Sequence, residues 1–152
     1  MPEAAAPPGH VLGPREGEHL VLRDGNIFIK AAPDRGCNGL ALGTQQVLVG
    51  VGIPIHRHFE MDEVLYVLEG SGILILNDVR HPIERGSTVF VPRNIWHGFE
   101  NADRELLLLW VVAPAGLDAF FREVATRPGA PPKPRTKEQL NEIARKYAME
   151  FR

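Results

Sequence analysis

The longest uninterrupted apolar run in this chain is Leu106–Ala113, eight residues, and the shorter ones are set off by 15 glycines and 13 prolines spread along 152 residues. Short apolar runs punctuated in this way fit strands joined by turns, and they do not fit a helical bundle. Eight residues also fall far below the roughly 18 to 20 needed to span a bilayer. The length supports one well-buried domain and not two comfortable ones. The expected class is therefore all-β.

Along the chain, residues 1–17 read as a flexible N-terminal arm and residues 18–114 as a β-barrel core. Within the core, strands are expected at Asn26–Ile29, Thr44–Val49, Glu63–Leu68, Ile73–Leu76, Ser87–Val91 and Ile95–Phe99. Glu69-Gly70-Ser71-Gly72 reads as the reversal of a hairpin joining two of them. Leu106–Val112 has no polar alternation and is expected to be buried on both faces. After Pro114 the pattern turns helical. Leu117, Phe120, Phe121 and Val124 recur at helical spacing, Arg127–Arg135 is a proline-rich linker, and Thr136 looks like the N-cap of a last helix striped by Leu140, Ile143 and Tyr147. Residues 115–152 thus read as a helical tail.

Chemistry concentrates between residues 50 and 101. Gly50 is followed after five residues by His56-Arg57-His58, after four more by Glu63, and after six more by Gly70. Side chains two apart on a strand share a face, so both imidazoles aim at one point. A turn at Phe59–Asp62 lets Glu63 face back towards them from a neighbouring strand. Two nitrogen donors and one carboxylate on one side of an ion form a facial site with open positions. A second block reads Gly86, Pro92, Asn94, His97 and Asn101. Asn94 tolerates a left-handed turn, so that His97 can begin a fresh strand and supply a third imidazole.

These two blocks resemble the paired motifs of the cupin superfamily closely. Every position of the first matches, and the second departs only where Asn94 stands for a glycine. The resemblance implies a double-sheet jelly roll or small barrel, with His56, His58, Glu63 and His97 as ligands of one divalent metal ion (iron, manganese, nickel, copper or zinc), and homodimers as a common state. The ending from Ala113-Pro114 onward is similar to that of small single-domain bacterial cupins, loosely called quercetin-dioxygenase-like.

Parity places Leu65 and Val67 on the face of Glu63, and Phe99 on that of His97. Gln46, Trp96 and Trp110 complete the expected substrate pocket, and no catalytic residue beyond the metal ligands is identified. Arg57 should face away, in a salt bridge or an interface. His10, His19 and His81 read as solvated, and Cys37 as a loop thiol. A net charge of -2 shows no basic excess for nucleic acid, and a single cysteine fits a reducing, cytoplasmic setting. The function expected is an oxygenase acting on a small, apolar or aromatic molecule. A non-redox isomerase, lyase or decarboxylase, or a ligand-sensing module, are the alternatives.

Overall fold

The structure is a computed structural model that describes residues 8–152; of the expected arm, the first seven residues lie outside the described part. Ten strands form two antiparallel sheets that share one long strand. The first sheet contains β1 (Glu18–Leu22), β2 (Gly25–Ala31), β3 (Ala41–Val47), β9 (Leu106–Ala113), the first half of β5 (Asp62–Leu76) and β7 (Thr88–Val91). The second contains β6 (Val79–Glu84), the second half of β5, β8 (His97–Glu100), β4 (Ile53–His58) and β10 (Met149–Phe151). Helices α1 (Leu117–Val124) and α2 (Lys137–Arg145) follow the barrel strands. This is the expected all-β architecture, a curled sheet pair with a helical tail.

The expected hairpin at residues 69–72 does not form. Strand β5 runs straight through it for fifteen residues and shifts register once, between Val67 and Glu69, as it leaves the first sheet for the second. Gly70 is needed for this passage and not for a reversal: its φ is 89°, and a Cβ there would lie 1.8 Å from the Glu105 carbonyl oxygen. Turn chemistry and bulge chemistry look alike in sequence because both call for glycine.

Strand β9 is likewise buried on one face only. Leu106, Leu108, Trp110 and Val112 are fully enclosed, whereas Leu107, Leu109 and Val111 are half-buried on the outside of the first sheet. The tail, expected to be helical, also adds β10 to the edge of the second sheet beside β4. Arg57 and Glu150 face each other across that pair and form a 2.7 Å ion pair. Thr136 caps α2 through a reciprocal capping box with Gln139.

Candidate metal centre

His56 and His58 sit two apart on β4 and point into the interior. His97, the first residue of β8, is the cross-strand partner of His56. Glu63, near the start of β5, comes from the first sheet, so the two sheets contribute opposite sides of the cluster. All four are buried, and one potential ligand atom from each lies within 4.8 Å of every other. Two ligands straddling an ion at about 2.1 Å would stand about 4.2 Å apart. The cluster therefore needs only a small contraction to close on one ion.

Backbone hydrogen bonds aim the rings. Nδ1 of His56 donates to the Pro54 carbonyl at 2.7 Å, and Nδ1 of His97 donates to the Ile95 carbonyl at 2.9 Å. Each ring thereby offers its Nε2 lone pair to the centre. His58 supplies the test of fit: both its ring nitrogens are buried without a hydrogen bond, although Nε2 lies 3.0 Å from Glu63 Oε2 at an unsuitable angle. Buried polar atoms are rarely left so, and a metal ion would satisfy this one.

The electrostatics agree. Burial would raise the Glu63 carboxyl, but the imidazoles of His58 and His97, at 3.0 and 3.2 Å, outweigh it and hold the group well below the ordinary carboxylate range. Burial, reinforced by the neighbouring His97 and His58, keeps His56 neutral well below its usual pKa. A carboxylate and a neutral imidazole are the protonation states a divalent ion requires.

The supporting motif residues act on the backbone. Asn94 has φ of 67°, as its place in the motif demands, and its N–H donates to the His58 carbonyl at 2.7 Å. Asn101 is buried, accepts from the Gly52 N–H, and donates to the carbonyls of Val47 and Leu48. It thus fastens the turn that leads into β4.

A cavity of about 540 Å³ opens from His56, Glu63 and His97. Of the residues expected around it, Leu65 and Phe99 line it and four do not. Gln46 faces outward, accepting from Asn26 and donating to Glu105, and its neighbour Gln45 takes the place. The turn after β3 shifts parity by one residue between that strand and β4. Val67 lies on the expected face, deeper in the core. Trp96 alternates with inward His97 and so lies outside, where Arg57 and Arg152 stack on it at 4.4 and 5.0 Å. Trp110 is sealed in the core against Phe121 and Gly43.

The remaining wall comes from the tail, which parity within the barrel could not reveal. Leu117, Phe120 and Phe121 of α1 and Phe151 of β10 all line the cavity, and Phe151 stacks on His56 at 5.1 Å. The apolar stripe of α1 was the available signal, but it gives no indication of which surface the helix covers.

Comparison with known proteins agrees with the geometry. The Cupin domain family model matches residues 43–112. Protein SchB of Streptomyces halstedii is 32% identical over 94 residues, 60% of this chain and 68% of that protein. The uncharacterized protein MJ1618 of Methanocaldococcus jannaschii is 26% identical over 83 residues, 53% of this chain and 66% of its own length. The chain thus spans about two thirds of the length of both curated relatives. Among solved structures, the polyketide cyclase RemF from Streptomyces resistomycificus superposes with a TM-score of 0.62 at 23% identity, covering 69% of this chain and 79% of its own. An RmlC-like cupin from Shewanella frigidimarina gives a TM-score of 0.62 at 19% identity, covering 73% and 96%. Sheet topology, motif spacing and these likenesses agree that the chain belongs to the cupin family.

Proposed function

We propose that the chain is a metal-dependent enzyme of the oxygenase type, acting on a small, largely apolar or aromatic organic molecule. The observation that carries this reading is that the four-residue cluster opens directly into a cavity walled by Leu65, Phe99, Phe120, Phe121 and Phe151. His56, His58, Glu63 and His97 would hold one divalent ion, which supplies Lewis-acid or redox chemistry according to its identity. The aromatic wall excludes water and orients an apolar substrate above the cluster. The lining also carries the Gln45 amide, which can hydrogen-bond a substrate oxygen.

In this reading the chain works in the reducing cytoplasm as a homodimer paired through the outer face of the first sheet. Phe90, Val64, Val111 and Leu42 form one row of that face, and Tyr66 and Leu109 lie in the next. Six strands about 4.8 Å apart make it roughly 24 Å wide. With strands of seven and eight residues, it is on the scale of the about 800 Å² per partner of a standard interface.

The test is elemental analysis of untagged wild type and His58→Ala, followed by O₂ consumption with small aromatic and carbonyl compounds. About one equivalent of metal per chain, lost in the variant, with O₂ uptake by the iron-loaded and not the zinc-loaded protein, is expected. Protein that folds but takes up none of the five candidate metals would sink the reading. Turnover by zinc-loaded protein without O₂ would replace it with lyase or isomerase chemistry.

A further inference from the structure

The cavity has a second end, remote from Glu63: the β1–β2 turn stands beside Gln46, which is level with Leu107 and Glu69, six residues along β5 from Glu63. Arg23 and Asp24 line it from the β1–β2 turn, and Lys133 and Arg135 line it from the linker that follows α1. Apart from the cluster, the lining therefore holds three cations against one carboxylate. The Arg135 guanidinium is already engaged, donating to the Val124 and Glu123 carbonyls at 2.8 and 3.2 Å and closing the C-terminal end of α1. Among the described residues, Arg23 and Lys133 form no ion pair and no side-chain hydrogen bond.

Arg23 is unusually placed. It occupies the first position of a two-residue turn in which both residues are left-handed, with φ of 49° at Arg23 and 62° at Asp24. Asparagine and glycine are the residues such turns favour, and an arginine there is conformationally uncomfortable. The residue is exposed, yet the protein around its guanidinium lowers its pKa through desolvation. A guanidinium at the cavity lining with no protein partner is free to pair with an anionic group of a ligand.

We infer that the cavity selects amphipathic carboxylates: an apolar or aromatic body against the Phe wall, and a carboxylate at the mouth held by Arg23 with Lys133 beside it. The planar guanidinium matches a carboxylate bidentately, whereas a phosphate would call for more converging cations than these two. Arg23 is then a specificity-determining residue at the opposite end of the substrate from the metal ligands. This inference rests on the reading of the cavity as the substrate chamber.

The test uses 4-phenylbutyrate and its uncharged analogue 4-phenylbutyramide, titrated calorimetrically into zinc-loaded and metal-free protein of measured metal content. Wild type is expected to hold the carboxylate at least about tenfold tighter than the amide, the difference a charge-assisted pair supplies. Arg23→Asn suits the left-handed turn, so it keeps the fold; it should cut the preference below about threefold, with metal content unchanged. Lys133→Gln should give a smaller loss in the same direction, and Asp24→Asn should strengthen carboxylate binding. Equal affinity for the two probes in wild type, or a preference that survives Arg23→Asn, overturns the inference. If such a surviving preference disappears from metal-free protein, the carboxylate sits on the metal, and the metal reading stands without this one. A preference lost in Arg23→Asn from protein that takes up no metal upholds the mouth and sinks the enzyme reading alone.

Discussion

Each buried histidine of the cluster has one face committed to the backbone or to the centre, and this makes the metal-free protein sensitive to acid. The unfolded chain accepts a proton on His56 near the ordinary pKa, whereas the folded site refuses it until much lower pH. The unfolded state therefore binds more protons just below that pKa, and unfolding free energy falls as pH is lowered from about 7 towards 5. Urea unfolding of chelated protein at several pH values should show this decline, and a flat profile would contradict the buried neutral state. Gly43 gives a second residue-scale prediction. A Cβ there would lie 2.4 Å from both the Trp110 ring and the Phe28 carbonyl oxygen, so Gly43→Ala should cost about 1–3 kcal/mol of stability by thermal or urea unfolding. The clustering of four residues was legible in sequence because strand alternation and two short turns determine where His56, His58, Glu63 and His97 point. Gln46 was not, because the turn after β3 shifts parity by one residue and periodicity carries no memory across it. Arg23 gave no signal at all, since its role depends on which loop lies across the barrel mouth.

At the scale of elements, the C-terminal strand β10 changes what the tail does. It pairs Met149 with His58 and Phe151 with His56, backing the strand that carries two histidines of the cluster. Phe151→Ala should lower stability by about 3–5 kcal/mol, the range for truncating a buried phenylalanine. All four residues of the cluster remain, so elemental analysis of the variant should match that of the wild type. Loss of the metal in a folded Phe151→Ala would show that the ring also positions His56. A three-residue strand after a helical stripe has too few residues to show a period of two, and Met149 and Phe151 read equally well as the end of the helix. The long strand β5 was misread for the opposite reason, because Gly70-Ser71-Gly72 carries a strong turn signal in a place where the chain bends but does not reverse.

For the whole molecule, the apolar outer face of the first sheet is the feature that sequence patterning predicted least well, since an unbroken run such as Leu106–Ala113 reads as enclosed on both sides. Phe90 is 59% exposed on that face. Phe90→Glu is expected to yield a folded monomer by light scattering, against a dimeric wild type, with a melting temperature lowered by the lost association. A wild type that remains monomeric at high concentration would remove the dimer from the proposal. The wall of the cavity formed by residues 129–135 has one more consequence, in its encounter with proteases. Exposed, irregular segments are where chains are usually cut, and the stretch from 127 to 135 carries three basic residues. Arg127 and Lys133 are each followed by proline, which trypsin-like enzymes do not cleave before, and Arg135 has its guanidinium engaged at the end of α1. The segment is thus open to solvent and yet poorly cleavable by enzymes that cut after arginine and lysine, which keeps the chamber it encloses in one piece.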